Sequence, residues 1–249
     1  MSGPANAAGK VLRTLDALPD HSRLGDLARA TDLPKSTVHR ILQTMVAEGF
    51  VHLDEGAGRY TPGPRLLGLA GRTLGRADAA AGAEPVLQRL QQRTGATVHL
   101  AVRSGDEAVY IRKVEGNKPY RMVSRVGMAI PLHCTGIGKA ILAGLSNDEV
   151  DEFGRRADLV RRTPATITDV EGLLADVAAI RRRGWAIDVE ENEVGILCVG
   201  AGVRDHTGAV TAALSVSQLK SDQDGIALDA LGPMVAAAAA EVSATFGAP

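Results

Sequence analysis

The chain has 249 residues, with 28 Lys+Arg against 29 Asp+Glu, which is room for one or two domains and a sizeable core. A hydrophobic share of 45% and a charged share of 23% exclude a disordered or collagen-like chain. A net charge of −1 excludes coating of nucleic acid or anionic membrane by bulk charge, though not a local DNA-reading module.

The first 62 residues read as three helices and a hairpin. Val11, Leu12, Leu15 and Leu18 fall on one face of a helix over 9–18, which Pro19 and Asp20 end. A short helix follows with Leu24, Leu27 and Ala28 inward. A third helix spans about 34–48. Residues 50–53 and 59–61, joined by a turn at 54–58, form a small hairpin. Pro62, Gly63 and Pro64 mark a boundary, and 65–81 reads as an exposed helix or linker.

The next elements in order are a helix over 85–93 and strands near 97–103, 107–114 and 120–126. The segment 131–135 then leads into a helix from Gly138. A helix over 170–183 precedes strands near 185–188, 198–203 and 210–217, and a final helix carries Pro233. Helices and strands interleave without a βαβ repeat, so the fold class is α+β.

Residues 24–45 have the layout of a helix-turn-helix. Ala28 is small where two helices meet, Asp32 lies in the tight turn, and Pro34 opens the second helix. Val38, Ile41, Leu42 and Met45 bury one face of that helix. The other face carries Lys35, Ser36, Thr37, His39, Arg40 and Gln43, side chains suited to phosphates and base edges in a major groove. Arg40 is the candidate for guanine and Gln43 for adenine. Arg59 in the hairpin is placed to reach the backbone or the minor groove. The first 75 residues carry a charge of +2 and the remainder −3, so the basic balance falls at this end. Aspartate in place of the usual turn glycine is tolerable, because it enters the left-handed region more easily than most residues.

In the second half, Gly136-Ile137-Gly138 precedes a helix. It reads either as an anion-attracting helix start or as a tight turn made for packing. It is not a P-loop, because His133 and Ala140 stand where that motif needs glycine and Ser/Thr. Gly200-Ala201-Gly202 is no dinucleotide fingerprint either, since Asp205 holds the third glycine position. The run Asp188, Glu190, Glu191, Glu193 reads as a solvated loop, or as a source of one pocket carboxylate, with Asp188 and Glu190 sharing a strand face. Ser215 and Ser217 share a face as edge hydroxyls or ligand contacts. The arginine runs 155–156, 161–162 and 181–183 read as solvated helix ends.

Two cysteines, Cys134 and Cys198, make no disulfide scaffold. Neither a signal peptide nor an apolar stretch of spanning length is visible, which points to the cytoplasm. No catalytic, cofactor or metal motif emerges. His133 and Cys134 are adjacent and would point to opposite strand faces, and a zinc site from His133, Asp188 and Cys198 has no supporting spacing.

The stretches KVLRTLDAL, LARATDLPKSTVHRILQTM, GFVHLDEGAGRYTPG, PLHCTGIGKAILA, GWAIDVEENEVGILCVGAGVRDHTGAV and TAALSVS resemble the IclR family of bacterial transcriptional regulators over nearly the whole chain. The resemblance implies a winged helix-turn-helix over 1–62, a linker helix over 63–80 and a GAF-like effector-binding domain over 81–249. It implies effector contacts at Gly136, Ile137, Asp188, Cys198, Ser215 and Ser217, with Met122, Met128 and Leu132 as apolar lining or core. The implied function is a transcriptional regulator, read first as a repressor of a catabolic operon released or modulated by a small carboxylic acid, with an activator as the reading the sequence does not separate from it. Its partners would be double-stranded operator DNA and further copies of the chain, as a homodimer or a dimer of dimers. The competing reading is a small-molecule sensor or enzyme that uses its winged helix for protein contacts. Footprinting beside its own gene separates the two.

Overall fold

A computed structural model describes residues 6–66, 68, 69, 78–222 and 225–248. The chain divides into two units, Met1–Arg76 and Ala77–Pro249. Half of the linker expected over 63–80, residue 67 and residues 70–77, lies outside the described residues.

The first unit holds α1 (Ala7–Ala17), α2 (Leu24–Thr31), α3 (Lys35–Ala47) and a hairpin of β1 (Val51–Asp54) and β2 (Arg59–Pro62). Their apolar faces close on one core of Leu18, Leu27, Ala28, Val38, Ile41, Leu42, Met45, Val51 and Tyr60. Asp32 caps α2 at φ 52°, ψ 43°, the left-handed conformation expected of it. The Leu33 N–H donates to the Ala28 carbonyl at 3.2 Å to close the turn. Pro34 stands one position before α3, as its cap, rather than as the first helical residue. The hairpin is tied to the helices where the Tyr60 N–H donates to the Ser22 carbonyl at 2.7 Å.

The second unit is a six-stranded antiparallel sheet of β3 (Thr97–Ser104), β4 (Glu107–Val114), β5 (Ala129–Pro131), β6 (Ala186–Val189), β7 (Ile196–Arg204) and β8 (Val210–Leu219), in the order β5-β4-β3-β8-β7-β6. Its helices are α4 (Asp78–Thr94), α5 (Gly136–Leu142), α6 (Asn147–Arg156), α7 (Val170–Arg183) and α8 (Leu228–Thr245). Helices α4 and α8 pack on each other and on the sheet, and α5 packs on β7 and β8 with α7 behind it. The helix expected from Pro85 begins at Asp78, so Pro85 sits inside it.

The strand expected near 120–126 is absent. The segment is irregular, and the chain rejoins the sheet only at β5. Side chains hold it instead. The Lys113 ammonium donates to the carbonyls of Met122 (2.8 Å) and Ser124 (2.7 Å), and the Ser124 hydroxyl meets His99 Nε2 at 2.7 Å. The Tyr120 hydroxyl donates to Asp222 at 3.0 Å. Arg161 and Arg162 lie in a loop rather than at a helix end. Arg181 is in the last turn of α7, where it donates to the Ala143 carbonyl (3.0 Å) and to Asn147 (2.6 Å) rather than only to solvent.

Candidate functional site

In the first unit, Lys35, Ser36, His39, Arg40 and Gln43 are exposed along α3 and Thr37 is half-buried, while the opposite face of the helix fills the core. The apolar spacing sets this arrangement: with Val38, Ile41, Leu42 and Met45 inward, the polar set can only face out. Gln43 and His39 lie one turn apart with side-chain nitrogens 3.5 Å apart. Arg59 is exposed at the start of β2. An exposed helix rich in donors beside an exposed hairpin is the geometry that enters a major groove.

In the second unit, the sheet register builds a polar row. Asp188 is opposite Cys198, Cys198 opposite Ser217, and Ser217 opposite Thr97. Two residues along, Gly200, Ser215 and His99 form the next row. Residues paired across strands, and those two apart along a strand, share a face, so these groups all project toward α5. Helix α5 presses close because Gly136 and Gly200 carry no side chains: a Cβ on Gly200 would lie 2.3 Å from the Gly136 carbonyl oxygen. The glycine turn is therefore built for packing, and the same packing places the start of α5 against the polar rows. The helix begins at Gly136 rather than Gly138, with the Thr135 hydroxyl accepting the Gly138 N–H at 2.9 Å.

The result is a pocket of about 360 Å³ whose lining includes Gly136, Ile137, Asp188, Cys198, Ser215 and Ser217 together. Met122 and Met128 also line it, whereas Leu132 is buried in the core beneath α5. The sequence reading missed His99, Tyr110, Tyr120, Arg121 and Ser124, which complete the wall and roof. The alternation of β3 and β4 would have put His99 and Tyr110 on the face that carries Ser215 only if the strand order had been known.

Burial dominates the electrostatics. Asp188 is 3% exposed. It accepts the Glu191 N–H at 2.8 Å, and burial still pushes its carboxyl up to about 7. With its folded value raised, Asp188 contributes stability that is full at acid pH and is lost as pH rises through about 7. Burial, with Lys113 nearby, drives His99 down to about 3, so its ring is neutral. One ring nitrogen bonds Ser124, and Nδ1 is buried with no hydrogen-bond partner among the described residues. Burial also raises the Cys198 thiol and the Tyr110 phenol, and Cys198 donates to the Ser217 hydroxyl at 3.1 Å.

Behind the pocket, Lys139 of α5 is 1% exposed and pairs with Glu191 at 2.5 Å and Asp176 at 2.8 Å. The acidic run is thus split. Asp188 and Glu191 point inward, and Glu190 turns away at φ 58°, beyond the end of β6, to pair with Lys220. Asp188 and Glu190 do not share a strand face, because the strand ends between them.

His133 Nε2 lies 3.2 Å from the Val160 carbonyl, while Cys134 is held near Asn192, so the two form no dyad. Burial raises the Cys134 thiol to about 12, which removes thiolate chemistry. Among the described residues no group of three or more His, Cys, Asp or Glu gathers to hold a metal, and no helix is long and apolar enough to cross a membrane.

Residues 71–244 match the family model described as the C-terminal domain of the bacterial transcriptional regulator IclR, and residues 8–55 match the IclR helix-turn-helix domain. The chain is 33% identical over 243 residues to the HTH-type transcriptional regulator XynR of Escherichia coli, covering 96% of each. It is 32% identical to the HTH-type transcriptional repressor AllR of the same organism, covering 95% of this chain and 88% of AllR. The crystal structure of Thermotoga maritima IclR superposes with a TM-score of 0.78 at 32% identity, covering 98% of this chain and all of that one (100%). An IclR homologue from Microbacterium hydrocarbonoxydans, solved with 4-hydroxybenzoate, gives 0.82 at 25% identity over 97% of this chain and 99% of that one. These relatives are regulators rather than enzymes. With a helix-turn-helix in its first unit and a buried polar pocket in its second, the chain belongs to the IclR family of bacterial transcriptional regulators.

Proposed function

We propose that the chain is a repressor that binds operator DNA through α3 and Arg59 and is modulated by a small carboxylic acid in the pocket of its second unit. The observation that carries this reading is the convergence of Gly136, Ile137, Asp188, Cys198, Ser215 and Ser217 on one cavity of about 360 Å³. That size suits a small metabolite. The mixed lining, with hydroxyls and a carboxyl on one wall and Met122, Met128 and Ile130 on another, suits an acid with a short apolar body. The 4-hydroxybenzoate bound by the Microbacterium homologue is an acid of that kind. Two such chains would read a pseudo-palindrome in the cytoplasm, with the domain division 1–62, 63–80 and 81–249 separating DNA reading from ligand sensing. Ligand binding then shifts the operator-competent population by no more than its differential affinity for the two states.

Arg40→Ala is expected to weaken specific operator binding by about 1–3 kcal/mol per recognition helix, with the fold intact. Gel-shift titration on DNA flanking the gene checks this, and unchanged affinity would count against α3 as the reading helix. Ser217→Ala is expected to leave operator binding unchanged and to raise the acid concentration needed for release by about tenfold, from one lost buried hydrogen bond. An undiminished response would remove Ser217 from the ligand contacts.

A further inference from the structure

Asp188 is buried in the pocket without a cation of its own. Among the described residues the charges behind it are already matched: Glu191 with Lys139 at 2.5 Å, and Asp176 between Lys139 at 2.8 Å and Arg183 at 3.8 Å. The titratable groups around Asp188 are Glu191 on its own loop, Lys139 on α5, Cys134 ahead of α5, Cys198 on β7 and Tyr110 on β4. Burial keeps both thiols and the phenol protonated at neutral pH. His99, the one imidazole in the lining, is neutral as well. Arg121 and Glu193 also line the cavity, but both are exposed at its rim and of opposite charge. A carboxylate that reaches the floor beside Asp188 therefore meets a second carboxyl, with no ammonium or guanidinium among the described residues there to separate them. Two carboxyl groups confined together do not both ionise; the pair keeps a proton.

We propose that a carboxylate effector binds this pocket together with one proton, shared between its own carboxylate and the Asp188 carboxyl. The inference rests on reading the pocket as an acid-binding site. No covalent bond changes. Asp188 donates an O–H···O hydrogen bond to the ligand, and the proton comes from bulk water whenever the free chain holds Asp188 ionised. Below the titration of Asp188 the proton is already in place and affinity is flat. Above it, each bound acid takes up a proton and affinity falls about tenfold per pH unit. With Asp188 titrating at about 7, affinity is expected to fall about tenfold between pH 6 and pH 8.

The test is isothermal calorimetry on the full chain at pH 6, 7 and 8, in two buffers of unlike ionisation heat. The probes are 4-hydroxybenzoate, pyruvate and gluconate, one aromatic, one short-chain and one sugar-derived acid. The expected result is binding of at least one probe, with proton uptake rising toward one at pH 8 and disappearing, together with the pH slope, in Asp188→Asn. Binding by the wild type with no uptake and no slope overturns the proposal and leaves the acid-binding reading standing. Uptake that persists in Asp188→Asn overturns it too, and its loss in His99→Gln would put the proton on the imidazole. Failure of all three acids to bind overturns the acid-binding reading and this inference with it. Should Asp188→Asn not bind, the carboxyl carbon resonance of Asp188 in the wild-type complex at pH 8 decides: a protonated position supports the proposal, and an ionised one overturns it.

Discussion

Lys139→Ala is expected to cost about 3–5 kcal/mol of stability, the largest effect of any single change considered. Lys139 is 1% exposed, on a helix whose every other residue is also buried. Its ammonium is the partner of Glu191 at 2.5 Å and lies 2.8 Å from Asp176. Removing it leaves Glu191 buried beside Asp188 without its ammonium, and leaves Asp176 with only Arg183 at 3.8 Å. Burial already raises Glu191 despite the ammonium, so without it the carboxyl would titrate higher still. The penalty is then greatest at alkaline pH and shrinks as acid protonates Glu191, following the sign for a group whose folded value is raised. Urea denaturation of wild type and variant at pH 8 and pH 5 measures both parts. A loss under about 1 kcal/mol at pH 8 would show that the pair is not the buried interaction described here.

Gly200→Ala is expected to cost about 3 kcal/mol and, where the pocket binds an acid as proposed, to abolish the response to it. The added Cβ would lie 2.3 Å from the Gly136 oxygen, 2.4 Å from its carbonyl carbon and 2.9 Å from the Ile137 nitrogen. All three are backbone atoms and cannot swing aside, so either α5 lifts from β7 or the strand bends. Both movements open the pocket at its polar rows. Denaturation together with a thermal-shift titration of acids reads the two consequences, and native stability with an intact response would show that α5 can yield at no cost.

The first unit was legible because each of its elements announces itself locally. The spacing of Val38, Ile41, Leu42 and Met45 fixes which side of α3 faces out, and the turn at Asp32 needs only one residue that tolerates positive φ. The pocket was legible by resemblance more than by residues. Asp188, Cys198 and Ser217 are neighbours only through the pairings β6–β7 and β7–β8, which no local pattern reveals. The strand expected near 120–126 failed for the same reason: what holds that segment is Lys113 and His99, residues from other strands. Helix α6 did carry a readable signal in the capping box of Ser146 and Glu149. Lys139 carried another, a lone charge among apolar neighbours that requires a buried partner.

The segment over the pocket contributes no strand to the sheet, and what fastens it to β3 and β4 is the carbonyls of Met122 and Ser124 together with one hydroxyl. A carbonyl is present whatever the side chain. Met122 and the largely exposed Val123 line the cavity, yet their identities are not written into the sheet or its core. Substitutions there are expected to leave folding nearly untouched while changing what the cavity accepts. The roof is thus a place where few mutations can change which ligand the cavity accepts, and where a designer seeking altered ligand selectivity should begin.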